Sequence, residues 1–253
     1  MYHGLQVKLD KRYSSGFSLT TAYTYSKAMG YQSEDSGIDF YINPRRNWRR
    51  LDFDRTHLFV QSYVYELPFG KGKRFLSSGP GMWALGGWQV NGNVIIGTGT
   101  PINFGGSTAV LKAPGNSNTL NYFGPGGIQT PKGNGRDAPW FLPTKCNFDP
   151  SKGALLTTQC FAQPGAGNGG LPEFGNLGRN PISGPGLFNM DGALFRNFSF
   201  RERWKLQLRG EATGILNTPY WNNPNTDFNS AKFGFIEGAG GNRSIQLGAK
   251  LLF

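Results

Sequence analysis

Seven stretches of the sequence alternate between apolar and polar residues, and this period of two constrains the fold more than any other feature. Successive side chains of a β-strand point to opposite faces, so each stretch predicts a strand with one apolar and one polar face. The stretches are 2–11, 17–27, 56–67, 87–97, 187–198, 203–215 and 244–253. Strands of globular proteins have about five or six residues, whereas a tilted membrane-crossing strand needs about 9 to 11. The fold is therefore predicted to be all-β. Within that class, stretches of this length favour a segment of an antiparallel transmembrane β-barrel over a β-sandwich.

The polar face of these strands predicts a watery interior. In 203–215, apolar or small residues at even positions from Trp204 to Ala212 alternate with polar residues at odd positions. Lipid outside a barrel and water inside would select this pattern. The predicted lumen-facing residues are Lys205, Gln207, Arg209, Glu211, Gln246 and Lys250. A soluble sandwich would show the same alternation with its apolar face in the core, so periodicity alone leaves both folds open.

Two stretches are less regular, and their orientation rests on single charged residues. In 56–67 the outward positions are predicted to be Phe59, Tyr63, Tyr65 and Leu67, because the opposite face contains Glu66. In 187–198 they are predicted to be Met190, Leu194 and Phe198, with Arg196 near a membrane interface where its long side chain could reach water.

The links between strands alternate in length. If the C-terminal end is periplasmic, the links 28–54, 98–186 and 217–243 are extracellular, where bacterial barrels place their long loops. The links 12–16, 68–86 and 199–203 are then periplasmic, although 68–86 is longer than a tight turn. The same topology gathers five aromatic residues at periplasmic strand ends, as a membrane-interface girdle is expected to do. These are Tyr65, Trp88, Phe198, Trp204 and Phe253, and the alternative is that they are core aromatics of a soluble sheet.

Composition excludes other fold classes. The chain of 253 residues contains Gly 38 and Pro 16, which interrupt helices, and no apolar run approaches the roughly 18 to 20 residues of a membrane-spanning helix. With 14% aromatic and 16% charged residues, it is not expected to be disordered. The segment after Met1 lacks the features of a signal peptide, so either the protein is cytoplasmic or its true N-terminus is missing.

The predicted strand number indicates a fragment. Bacterial barrels have an even number of strands starting at about 8, and seven are visible. A hidden strand around 101–111 could raise the count to eight, but a strand that begins almost at Met1 favours truncation.

Charge and cysteines leave several interpretations open. The net charge of +11 suggests nucleic acid or an anionic membrane as a partner, and the only dense cluster is 45–50 (RRNWRR). This cluster is either a solvated loop or a contact for phosphates of nucleic acid or lipopolysaccharide. Cys146 and Cys160 form either a disulfide, which requires an oxidising compartment, or two free thiols. No zinc site is predicted, because the histidines are His3 and His57 and no CxxC spacing occurs.

Motifs for catalysis are absent from the sequence. It contains no P-loop, HExxH or GxSxG motif. Asp52, Asp54, Arg55 and His57 could supply acid and base groups, but a loop-to-strand junction held by ion pairs and hydrogen bonds is the preferred interpretation. We therefore expect neither enzyme activity nor a cofactor.

Eight short segments form an ordered series along the chain: 2–12 (YHGLQVKLDKR), 22–27 (AYTYSK), 52–57 (DFDRTH), 63–73 (YVYELPFGKGK), 86–89 (GGWQ), 175–180 (GNLGRN), 184–186 (GPG) and 215–219 (ILNTP). This series resembles the C-terminal barrel of Oar-like TonB-dependent receptors. The resemblance implies that residues 1–253 belong to a barrel of about 22 strands, of which this chain supplies about 7 or 8. It also implies a missing signal peptide, carboxypeptidase-regulatory-like domain and plug. The end of the chain resembles the signal read by the barrel assembly machinery, formed here by Ile245, Leu247, Ala249, Leu251 and Phe253.

These expectations combine into a functional hypothesis. The chain is expected to form part of an outer-membrane receptor of a Gram-negative bacterium that takes up or binds a large nutrient. Expected partners are lipid and lipopolysaccharide, the assembly machinery, the TonB complex through the missing N-terminal part, and an unknown extracellular ligand, but no nucleic acid. The alternatives are a soluble basic all-β protein that binds polysaccharide or nucleic acid, and an adhesion or structural barrel without transport.

Overall fold

The fold is a sheet of seven long strands with folded loops at one end. The computed structural model describes residues 1–33, 38, 40–106, 118–124, 126–133, 135–141, 160–165, 171–200 and 204–253. The long strands are β1 (Tyr2–Ser14), β2 (Phe17–Gly30), β3 (His57–Glu66), β4 (Trp88–Gly97), β5 (Leu187–Phe200), β6 (Trp204–Thr213) and β7 (Ser244–Leu252). All seven predicted strands are present, with boundaries that differ by a few residues. The all-β, antiparallel fold predicted from the alternation is confirmed.

The strands form one open antiparallel meander. Each pairs with its neighbours in sequence, so the order runs from β1 to β7, and β1 and β7 are the two edges. The eighth member of the sheet is the two-residue strand Arg49–Arg50, which pairs with the end of β2 through Met29 and Gly30.

Local backbone conformations set the ends of the strands. Ser15 and Gly16, both with positive φ (54° and 78°), form the two-residue connection between β1 and β2. Positive φ at both central residues matches the twist of a hairpin. Strand β6 ends at Thr213 because Gly214 has a φ of 58° and donates its N–H to an Asp191 carboxylate oxygen at 2.9 Å.

The predicted hidden strand at 101–111 does not join the sheet in the part that the structure describes. Pro101–Ile102 pairs with Ile182–Ser183, and Gly105–Gly106 pairs with Asn118–Thr119, in separate two-stranded sheets. Both partners belong to the same long link as the segment itself, so this link folds on itself. Residues 107–111 lie outside the described residues.

The hydrophobic core lies in the loops and not against the sheet. It contains Ile102, Phe104, Leu120, Phe141, Phe161, Leu177, Ile182 and Phe233. The Phe104 ring lies 5.0 Å from Phe141 and 5.1 Å from Phe161, and Phe233 from another loop lies 5.3 Å from Phe161. Among the described residues, the other sheets are two-stranded pairs that do not join the order of the seven long strands.

Helix is rare in the described part of the chain. A 3₁₀ turn spans Pro44–Asn47, and one α-helix, α1, spans Pro80–Leu85 between β3 and β4. Within the described residues, no helix is long and apolar enough to cross a membrane.

Candidate transmembrane wall and extracellular loops

The register of the strands sorts their side chains onto two faces. Residues directly opposite each other in an antiparallel pair lie on the same face. One row across the sheet consists of Phe17, Tyr65, Val90, Leu194, Gly210 and Leu247. The next row consists of Ser18, Val64, Asn91, Ala193, Glu211 and Gln246. We call the face of the first row the apolar face and the face of the second row the polar face.

The apolar face is bare. On β7, Leu247 is 82% exposed and Ile245 is 64% exposed, and on β1 Leu5, Val7 and Leu9 are exposed as well. Leaving apolar area in water costs about 25 cal/mol per Å² relative to burial, and monomeric soluble proteins rarely expose such continuous patches. A face of this kind requires a hydrophobic environment outside the chain.

The two less regular strands are oriented as predicted. Tyr63 and Tyr65 pair with Gly92 and Val90, which places them on the apolar face. Met190 and Leu194 pair with Val94 and Val90 on the same face. Gln61 also lies on this face, opposite Thr21 and Val94.

The polar face is covered by hydrogen-bonded side chains. On this face, side-chain amides donate hydrogen bonds in three pairs: Gln89 to Asn91 at 2.8 Å, Asn189 to Asp191 at 3.0 Å, and Gln207 to Asn197 at 3.0 Å. The Ser62 hydroxyl donates to the side-chain amide oxygen of Asn93. All six residues predicted to face the lumen lie on this face: Lys205, Gln207, Arg209, Glu211, Gln246 and Lys250. Their contact with a water-filled lumen stays a prediction.

The five predicted interface aromatics lie on the apolar face near one end of the sheet, which we call the short-turn end. They are Tyr65, Trp88, Phe198, Trp204 and Phe253. The Trp204 and Phe253 rings stack 5.5 Å apart, and the Phe17 ring meets Tyr65 edge-on at 5.9 Å. The structure thus gathers residues that are far apart in sequence, and their membrane-interface role stays a prediction.

A second aromatic group, which the sequence reasoning missed, lies on the apolar face at the other end. Tyr23 Oη and His57 Nδ1 are 2.8 Å apart, and the Tyr25 and His57 rings lie 5.2 Å apart. Eight residues of β2 separate Phe17 from Tyr25, about 26 Å along a strand that rises about 3.3 Å per residue. If the strand is tilted by about 40°, this length covers roughly 20 Å along the membrane normal. That is close to the height of about 25 Å of the apolar band in outer-membrane barrels. The alternation of Tyr23, Thr24 and Tyr25 in the sequence could have indicated this second aromatic group.

The terminal strand is almost fully accessible. Phe253 is 89% exposed, and Leu247 and Leu251 are exposed on the same face. Ile245 and Ala249 complete the five apolar-face positions of this strand. The structure places these residues in one row along the open edge, and their reading by the assembly machinery stays a prediction.

Three long loops meet at the end opposite the short turns, which we call the long-loop end. The first loop (31–56) joins β2 to β3, the second (98–186) joins β4 to β5, and the third (214–243) joins β6 to β7. In their described parts, the Trp140 N–H donates to the Gly234 carbonyl at 2.8 Å, and Asn223 donates to Thr100 at 3.2 Å. The predicted clustering of long links at one end is therefore present.

The first and second loops are joined through buried polar contacts. Asp54, only 2% exposed, accepts the N–H of Ala28 at 2.6 Å and the Arg50 Nε–H at 2.8 Å. Asn180 of the second loop donates to the Arg50 carbonyl at 2.8 Å and to the Asp52 carboxylate at 2.5 Å. The interpretation of 52–57 as a junction held by ion pairs and hydrogen bonds fits these contacts.

The arginine cluster at 45–50 is only partly a solvated loop. Arg46 lies 3.9 Å from the centre of the Phe40 ring and donates to the Gly175 carbonyl, and burial together with the Arg49 charge lowers its pKa from the ordinary value. Arg50 is bonded to Asp54 and to Ser183 Oγ at 2.9 Å. These two guanidinium groups join loops, whereas Arg45 and Arg49 are exposed.

Cys160 is buried in the second loop and takes part in a disulfide. Its backbone carbonyl accepts the N–H of Phe123 at 2.9 Å, next to the aromatic core. Cys146 lies outside the described residues, so its pairing with Cys160 stays a prediction.

A comparison with protein families decides the class of this chain. A family model described as an outer membrane beta barrel domain matches residues 1–246. The chain belongs to this family. Its location is therefore the outer membrane of a Gram-negative bacterium. No curated protein matches the sequence.

Membership of the outer membrane beta barrel domain family explains the bare apolar face. Barrels of this kind turn an apolar band to lipid and a polar surface to the interior. They also place short turns in the periplasm and long loops outside the cell. By this rule the short-turn end is expected to be periplasmic and the long-loop end extracellular, and this orientation stays a prediction.

Proposed function

We propose that this chain forms part of a TonB-dependent receptor that binds or takes up a large nutrient. Its seven long strands, β1 to β7, form part of the barrel wall, and its three long loops form part of the extracellular surface. The observation that best supports this proposal is an open sheet with an exposed apolar face, two edge strands and packed loops at one end. The resemblance of its ordered sequence segments to Oar-like receptors supports the receptor assignment. We propose a role in binding and transport and no enzymatic activity.

The free edges support a larger barrel. In the sheet that the structure describes, β1 and β7 each pair on one side only. Backbone groups inside a bilayer have no water to bond, so each edge needs a partner strand. Strands beyond these seven would complete the ring, as in a receptor barrel of about 22 strands.

The extracellular loops support ligand capture. The second loop supplies most of the aromatic core, and the third loop contributes Phe233 to it. Because this core joins the second and third loops through contacts among their own side chains, the loops can present a preorganised surface, which lowers the entropic cost of binding.

The partners follow from the same placement. We propose that lipid contacts the apolar face, that lipopolysaccharide meets exposed Arg45 and Arg49 at the extracellular end, and that the assembly machinery reads β7. We also propose contact with the TonB complex through a part of the receptor outside this chain. No contact with nucleic acid is proposed.

Growth of bacteria that carry or lack the intact receptor tests this function. The probes are ferric chelates, oligosaccharides and peptides, each supplied at limiting concentration to a deletion strain, the complemented strain and a strain without TonB. We expect deletion and loss of TonB to abolish growth on the same probe, and complementation to restore it. Equal growth of all strains on every probe, together with reduced surface attachment of the deletion strain, would instead support an adhesion barrel and overturn the proposal.

A further inference from the structure

The link between β3 and β4 is the longest described connection at the periplasmic end, and it has a fold of its own. Phe69 and Phe75 form an isolated bridge that closes a bend, and the Phe75 N–H donates to the Pro68 carbonyl at 3.0 Å. Helix α1 follows, with proline in its first turn and Gly79 at its N-cap. Proline at this position is preorganised for a helix. The link is therefore a built element and not an extended strand turn.

Helix α1 is attached to the apolar face of the wall. Arg196, which lies on that face and is 8% exposed, donates to the Ala84 carbonyl at 2.7 Å and also to the Trp83 carbonyl. Trp88 Nε1 donates to the same Ala84 carbonyl at 3.1 Å. These donors satisfy carbonyls that the end of a helix leaves without partners. Arg196 thus fixes the helix beside the girdle at the short-turn end.

The aromatic rings around Arg196 complete this attachment. Its guanidinium carbon lies 4.2 Å from the centre of the Phe198 ring and 5.5 Å from that of Trp88. Cation–π contacts of this kind strengthen when they are removed from water. An arginine on a lipid-facing surface is therefore compensated by the helix carbonyls and the rings.

The outer surface of the link is apolar and flanked by positive charge. Trp83 is 69% exposed, Leu85 is 54% exposed, and Phe75 and Leu76 are exposed beside them. Arg74 lies in the same link, and its guanidinium is 5.3 Å from the Phe75 ring centre. Tryptophan collects at membrane–water boundaries, and basic residues are attracted to anionic headgroups. An in-plane membrane segment combines these features.

We propose that α1, with Phe75 and Leu76, lies in the headgroup region of the periplasmic leaflet and anchors the barrel wall in that phospholipid surface. The exposed side chains of α1 continue the apolar face through Arg196 and Trp88, so the lipid that covers the wall extends over the helix. This inference rests on the barrel placement of the wall and is independent of TonB-dependent transport.

Spin labels in vesicles test the proposal. The intact barrel, with the strands that pair with β1 and β7, is reconstituted in vesicles of phosphatidylethanolamine and phosphatidylglycerol. A nitroxide is attached, under non-reducing conditions, to Trp83→Cys, Leu85→Cys, Lys71→Cys or Leu247→Cys. Frequent collision of the nitroxide with oxygen indicates that it lies in lipid, and frequent collision with a water-soluble nickel chelate indicates that it lies in solvent. We expect the oxygen-to-nickel ratio at positions 83 and 85 to lie between the high ratio at 247 and the low ratio at 71.

Two variants in α1 keep the test decisive if one of them fails to assemble. A ratio at both positions as low as that at position 71 would overturn the anchor while leaving the wall intact. Protection from both reagents would show that another protein surface covers the helix, and would overturn it as well. A low ratio at position 247 itself would contradict the membrane placement of the wall and, with it, the proposed receptor.

Discussion

The ring of Tyr63 lies over Gly92 on the apolar face. The two residues are opposite each other in β3 and β4, and a Cβ atom built on Gly92 would overlap the phenol end of the Tyr63 ring. Glycine in a strand leaves backbone uncovered, and an aromatic ring from the neighbouring strand can cover it. The ring of Tyr63 therefore covers the gap that Gly92 leaves in the apolar face.

This contact predicts coupling between Tyr63 and Gly92. Tyr63→Ala uncovers the glycine, and Gly92→Ala displaces the ring, so each change removes the same interaction. A double-mutant cycle on unfolding from lipid vesicles is expected to give a coupling of about 0.5 to 1 kcal/mol. Tyr65→Ala combined with Gly92→Ala is the matched control, because Tyr65 pairs with Val90. Equal coupling in both cycles would show that the ring over Gly92 has no special contribution.

Asp54 is predicted to stabilise the junction of the first and second loops. Asp54→Ala leaves the Ala28 N–H and the Arg50 guanidinium without their partner, at an expected cost of about 2 to 3 kcal/mol, since hydrogen bonds to charged groups are the stronger kind. Hydrogen exchange of the loop amides measures this change. Asp52, whose side chain is 57% exposed, is the control, and Asp52→Ala is expected to cost less than about 1 kcal/mol. Comparable protection of the loop amides from exchange in the two variants would contradict the predicted role of Asp54.

The aromatic core is predicted to maintain the extracellular loops independently of the barrel wall. Phe161→Ala removes a fully buried ring, and such changes cost about 3 to 5 kcal/mol. We expect rapid proteolysis of the loops on intact cells, with the amount of barrel in the membrane unchanged. Phe53→Ala changes an exposed ring and serves as the control. Loss of the barrel itself in Phe161→Ala would show that loops and wall fold as one unit.

Cys146 and Cys160 are predicted to pair in the oxidising periplasm. Mass spectrometry of unreduced peptides should recover one cross-linked species that contains both cysteines, and reduction should separate it. Recovery of Cys160 bonded to any other thiol would contradict the pairing.

The strands could be predicted from the sequence because alternation is a local property. Lys205 and Leu206, for example, differ in polarity as neighbours on opposite faces of β6. The loop core could not be predicted in this way. Phe104, Phe141, Phe161 and Phe233 lie far apart in sequence and follow no period, so only the folded loops bring them together.

Helix α1 was missed for a different reason. Six residues that begin with proline and end before two glycines carry no helical periodicity. Arg196 was predicted to lie near a membrane interface, but its bonds to Trp83 and Ala84 depend on the packing of that helix. The face of Arg196 was therefore predictable, whereas its partners were not.

The central claim is that the apolar face contacts lipid, and two neighbouring residues of β7 test it. Leu247→Arg places a charge on the apolar face and is expected to reduce the free energy of unfolding from bilayers by about 2 to 4 kcal/mol near mid-membrane. Gln246→Arg places the same charge on the polar face, beside Glu211, and is expected to be tolerated. Denaturant titration of both variants in vesicles measures the difference. A large loss confined to Leu247→Arg is the predicted result, and equal stability of the two variants would contradict the account.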